Sequence, residues 1–153
     1  MCDSIKINHE GVNYLFTQEF DKNYSFDSLN IYQYDQGQWI LCCNSPIVLG
    51  KDNARMAGNI IKENNCLIRV AQDCEGTYGR AINFNRIEEL TTEKYCEVTI
   101  RRIEPINVKC NADKRCYDGI HTYNVNENYE VIDLKRNEVF HIGNLFNLFY
   151  RIK

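Results

Sequence analysis

Residues 76–89 read Gly-Thr-Tyr-Gly-Arg-Ala-Ile-Asn-Phe-Asn-Arg-Ile-Glu-Glu, in mid-chain between segments of β pattern. Gly76 and Gly79 flank Thr77-Tyr78 and predict a tight turn, because glycine reaches backbone conformations closed to other residues. Arg80 to Phe84 then reads as extended. Asn85 has the side chain of a helix N-cap, and Glu88 stands three residues on, where a capping box places it. The stretch therefore predicts a glycine-flanked turn followed by a short helix over Arg86 to Lys94. Such a turn lets backbone N–H groups approach an anion, and a helix N-terminus favours negative charge. Arg80 and Arg86 add charge-assisted donors, and Tyr78 offers a ring for stacking.

The segments on either side of this stretch read as β. Ile5 to Phe16 predicts a hairpin turning at His9-Glu10-Gly11. Leu29 to Tyr34 and Gln38 to Cys43 predict a second hairpin around Asp35-Gln36-Gly37, with Trp39 anchoring its sheet. Ile47-Val48-Leu49 is a short apolar run closed by Gly50. Asn53 to Glu63 fits either a helix face or a strand over Met56 to Ile61. Cys66 to Val70 reads as a strand. Cys96 to Ile103 alternates, with Cys96, Val98 and Ile100 on one face and Glu97, Thr99 and Arg101 on the other. Ile120 to Val125, Tyr129 to Leu134 and Val139 to Ile142 predict a meander, and Leu145 to Ile152 an apolar tail tied into the core. Residues 17–28 and 110–118 read as loops. The sum is a mostly β, barrel-type antiparallel fold with one or two short helices, in a single domain spanning residues 1–153.

Composition narrows the function. The net charge of −3 disfavours bulk nucleic-acid binding, which needs a basic field. No apolar run is long enough to span a membrane, and Met-Cys-Asp-Ser-Ile-Lys lacks a signal-peptide core, so the expectation is a cytoplasmic protein. Eight cysteines in such a compartment read as free thiols. Their spacing does not match zinc ligands, since Cys110 and Cys116 have five residues between them and Cys42 and Cys43 are adjacent. No metal and no cofactor is expected. A cysteine-protease reading of Asp73-Cys74-Glu75-Gly76 lacks a suitably placed base, because His121 and His141 follow Cys74 and His9 lies too near the N-terminus.

Three collinear segments resemble the poxins, viral and insect nucleases that degrade 2′,3′-cGAMP. They are Ser45-Pro46-Ile47-Val48-Leu49-Gly50-Lys51 leading to Cys66–Val70, Thr77-Tyr78-Gly79-Arg80 continuing to Asn85-Arg86-Ile87, and Thr122-Tyr123-Asn124 with Tyr129 to Lys135. The resemblance implies a chymotrypsin-like barrel turned to nucleotide chemistry. In it a His, a Tyr and a Lys act without metal as a ribose hydroxyl attacks the neighbouring phosphodiester. His9 stands for the family's histidine. Phe84 and Glu88 stand where the family has its Tyr and Lys, so the hydroxyl is lost and the charge reversed. The resemblance implies a viral antagonist of host immunity in the host cytosol. It would bind a cyclic dinucleotide, with or without cleaving it, with Tyr78, Arg80, Phe84 and Arg86 as ligand-binding residues and His9 as the catalytic one. An alternative of another class is a dead pseudo-enzyme barrel that binds a host or viral protein.

Overall fold

The computed structural model describes residues 2–18, 27–108 and 117–136. Twelve strands appear among them: β1 (Cys2–His9), β2 (Val12–Gln18), β3 (Ser28–Asp35), β4 (Gln38–Cys42), β5 (Val48–Leu49), β6 (Arg55–Met56), β7 (Ile61–Glu63), β8 (Cys66–Asp73), β9 (Ala81–Leu90), β10 (Tyr95–Ile103), β11 (Gly119–Val125) and β12 (Glu130–Lys135). One 3-10 turn at Pro105–Asn107 completes the described elements.

The strands make three antiparallel layers. The first sheet runs β1-β2-β3-β4, with β5 also paired to β3. The second runs β10-β9-β8-β6, with β7 also on β8. The hairpin β11-β12 is the third. Turn chemistry fixes the hairpins: Glu10 and Gly11, and Gln36 and Gly37, all sit at positive φ, as tight two-residue hairpin turns require.

Side-chain alternation assigns the second sheet two partners. One core joins Ile7, Tyr14, Phe16, Leu29 and Ile31 of the first sheet to Met56, Leu67 and Leu90 of the second. A second core joins Val70, Ile82, Phe84 and Ile103 to Ile120 and Tyr123 of the hairpin. The middle sheet is thus covered on both faces, by the first sheet on one and the hairpin on the other. The chain is mostly β, as expected, but among the described residues its sheets stack in open layers and close no barrel.

The face of the middle sheet turned toward the first sheet is not wholly apolar. Arg69 is fully buried there and donates to both carboxylate oxygens of Glu97, at 2.7 and 2.5 Å. It also donates to the Asn53 carbonyl at 2.9 Å. Tyr95 donates to Glu97, Asn85 to Asn53, and Thr99 to Asn85. Burial alone would lower the Arg69 pKa, but its bonds to Glu97 hold it above the ordinary guanidinium range. Such a face survives in a core only because its donors and acceptors are matched.

The helix expected over Arg86 to Lys94 is absent. Residues 81–90 are the strand β9, and Asn85 is a buried strand residue pairing opposite Arg69 and Thr99 rather than an N-cap. The Asn53–Glu63 segment resolves into β6 and β7. The strand over Val139 to Ile142 and the apolar tail Leu145 to Ile152 lie outside the described residues. On β10, a bulge between Thr99 and Arg101 inserts Ile100, so that Arg101 falls opposite Phe84 and Arg102 opposite Asn83. The expected alternation holds to Thr99 and inverts after it. That inversion delivers Ile103 to the apolar core and Arg102 to Asp73, at 2.7 Å.

Candidate functional site

The sequence-predicted site residues go to different places. His9 ends β1 opposite Val12 in the first hairpin. Tyr78 sits in the β8–β9 loop between Gly76 and Gly79, both at positive φ. Arg80 is half-exposed and lies 3.4 Å from Glu75 and 3.9 Å from Asp73. Arg86 lies on β9 and pairs with Glu88 at 2.7 Å. Phe84 is buried and meets Tyr123 edge-on, with ring centres 4.8 Å apart. Of these five, Phe84 alone lines the large cleft described below.

Tyr78 belongs to a cluster the sequence did not reveal. Its hydroxyl lies 2.5 Å from His121 Nε2, and His121 Nδ1 lies 3.1 Å from Asp133 Oδ2. The neutral tautomer that gives Nδ1–H to Asp133 leaves Nε2 to accept from the tyrosine. The Arg55 guanidinium stands 4.9 Å from the Tyr78 ring centre and pairs with Asp3 at 2.8 Å. Alongside, the Ile120 N–H donates to the Gly79 carbonyl at 2.7 Å. A Cβ at Gly79 would meet the Ile120 carbonyl oxygen at 2.9 Å, so glycine permits this approach. Together these contacts clasp the β8–β9 loop to the hairpin. The cluster is solvent-exposed, with Tyr78 at 43%.

The concave feature is elsewhere. The hairpin covers the middle sheet over Val70, Ile82 and Ile103, and its strands end at Val125 and Glu130. Beyond that end a cleft of about 1030 Å³ opens where all three layers meet. Ile60, Ile61, Ile68, Phe84 and Tyr123 give it apolar walls. Lys6, Lys62 and Arg101 give it cations, against Glu63 and Glu127 as acids. Asn8, Asn59 and Asn126 supply amides. Arg101 is held in place by its guanidinium lying 5.0 Å from the Phe84 ring centre. Lys62 donates to the Asn8 carbonyl at 3.2 Å, tying β7 to β1 across the cleft. Burial raises the Tyr123 pKa, and its bond to Glu130 raises it further while Arg101 pulls the other way, so the phenol stays a neutral donor. A cleft with apolar walls and a few placed polar groups is the usual form of a small-molecule site.

Comparison with known proteins identifies the family. The family model described as the N-terminal region of glucosamine inositolphosphorylceramide transferase 1 matches residues 1–137. The chain belongs to this family. The glucosamine inositolphosphorylceramide transferase 1 of Oryza sativa subsp. japonica is 32% identical over 109 residues, covering 65% of this chain. That of Oryza sativa subsp. indica is 31% identical over 107 residues, again 65% of this chain. The Arabidopsis thaliana protein is 29% identical over 161 aligned residues, covering 96% of this chain. The chain spans 14% of the length of each rice protein and 20% of the Arabidopsis one. No solved structure matches it.

Membership in this family overturns the poxin resemblance, and with it the cGAMP-directed immune antagonist and the host–virus setting. The barrel of the pseudo-enzyme alternative does not close among the described residues. The geometry agrees: the Tyr-Gly loop leads into a strand, so Phe84 and Glu88 do not occupy an active-site helix. Sequence reasoning missed Lys6, Lys62, Arg101 and Tyr123 because they come from four distant strands. The one available signal was Arg101-Arg102, a pair that a strand must point to opposite faces.

Proposed function

We propose that this chain recognises the acceptor in a glycosyltransferase system, binding the anionic inositol-phosphate headgroup of a sphingolipid in the three-layer cleft. The observation that carries the reading is the cleft itself: three cationic side chains and three amides above an isoleucine and aromatic floor. A phosphodiester needs the cations, a polyhydroxylated ring needs the amides, and the apolar walls suit the ring's C–H faces and the first carbons of a lipid. The relatives' name, a transferase acting on inositolphosphorylceramide, supplies a molecule with all three parts.

Arg101 is the best-placed phosphate ligand, since stacking on Phe84 orients its planar fork before ligand arrives. Lys62, held on the Asn8 carbonyl, and Lys6 add point charges around it. Titration of the 153-residue protein with glycerophosphoinositol, followed by calorimetry, tests the reading. Saturable binding is expected, weakened about tenfold or more in Lys62→Glu and in Arg101→Glu, the loss of roughly one charge-assisted bond. Equal affinity of all three proteins, or no binding, would reject it.

A further inference from the structure

We propose that the mouth of this cleft is a membrane-docking surface, which seats the open edge of β10 and the rim cations on an anionic lipid bilayer. The inference rests on the headgroup reading, because a lipid ligand must reach the cleft from a bilayer.

The surface is assembled from three observations. First, β10 is the edge strand of the middle sheet, and it exposes Val98 at 43% and Ile100 at 46%. An apolar, exposed sheet edge is a liability in water unless something covers it. Second, Ile100 lines the cleft, and so does Val125 at the end of the hairpin, itself 42% exposed. The apolar rim is therefore continuous with the binding cleft. Third, the charge at this place opposes that of the whole molecule. The chain carries a net −3, yet the cleft's own charged residues are Lys6, Lys62 and Arg101 against Glu63 and Glu127, a local excess of one positive charge. Arg86 lies beside Val98 across the strand pair but is matched by Glu88.

Apolar side chains beside a local excess of positive charge are the chemistry of a peripheral membrane contact, where shallow apolar insertion and attraction to anionic headgroups act together. Such a contact needs no spanning segment. The bulge at Ile100 contributes directly, because it inserts the extra apolar residue at the rim and turns Arg101 toward the cleft behind it.

Co-sedimentation with phosphatidylcholine vesicles, with and without phosphatidylinositol, tests this together with glycerophosphoinositol binding. Val98→Asp is informative because Val98 is exposed and does not line the cleft. The expected result is salt-sensitive binding to phosphatidylinositol vesicles, weakened about fivefold or more by Val98→Asp, while the soluble headgroup binds unchanged. Lys6→Glu is expected to weaken vesicle binding as well. Absence of vesicle binding, or vesicle binding indifferent to both substitutions, overturns the docking surface even if the headgroup binds. Vesicle binding that responds to Val98→Asp without any headgroup binding upholds the surface and rejects the cleft reading.

Discussion

Arg69 shows how a single residue governs the middle layer. It is fully buried, and Glu97, Asn53 and Met56 take up its guanidinium. Removing its counter-ion leaves an uncompensated buried charge, which costs far more than the pair contributes. Glu97→Ala is expected to destabilise the protein by about 3–5 kcal/mol in urea unfolding, and Arg69→Met combined with Glu97→Leu to recover a large part of that loss. Cys43 carries a separate, pH-dependent contribution. Burial, then its hydrogen bond with Cys42, pushes its thiol from 9.0 up to about 12. The folded protein keeps this proton where the unfolded chain has released it. Stability is therefore present in full below pH 9 and falls as pH rises from there toward 12. Cys43→Ser removes that titration while keeping a donor for the Thr91 carbonyl. Its stability is expected to fall less than the wild type's between about pH 9 and pH 11, as read from denaturant midpoints across that range.

At the scale of elements, the joint between the middle sheet and the hairpin is the Ala57-Gly58-Asn59 segment. The Ala57 N–H donates to the Val70 carbonyl, the Tyr123 N–H to the Ala57 carbonyl, and the Asn59 N–H to the Asn124 side chain. A Cβ on Gly58 would stand 1.9 Å from the Tyr123 carbonyl oxygen, so backbone must move to admit it. Gly58→Ala is expected to cost about 1–3 kcal/mol and to displace β11. Amide and aromatic spectra of that variant should show the Tyr123 ring drawn away from Phe84. The same scale explains what the sequence made legible. The first two hairpins and the β11-β12 pair were readable from alternation and turn residues, because their turns need particular backbone angles that few residues supply. β9 was not. Ile82 and Phe84 alternate with Asn83 and Asn85, but the asparagines are buried in a polar network formed with Asn53, Asp52, Thr99 and Arg102. A buried polar face looks like a solvated one in sequence, and Asn85 with Glu88 mimicked a capping box. The bulge at Ile100 was equally invisible, since it depends on the pairing register with β9.

At the scale of the whole molecule, the cleft exists because three layers of unequal extent are stacked. Among the described residues the hairpin is shorter than the sheet it covers, and the end of that sheet beyond the hairpin becomes the cleft wall. Its residues come from β1, β7, β8, β9, β10 and β11, the segment before β7 and the β11–β12 turn, so their convergence is a property of the stacking order and no local motif encodes it. The glycine-flanked loop, which had the strongest local signal, serves instead to clasp the layers through Tyr78, His121 and Asp133. Backbone amide shift mapping of the 153-residue protein with glycerophosphoinositol tests whether the cleft holds the headgroup. Perturbations are predicted to cluster at Lys62, Ile68, Phe84, Arg101, Tyr123 and Val125. Perturbations confined to the surroundings of Tyr78 and His121, or none at saturating ligand, would contradict the account.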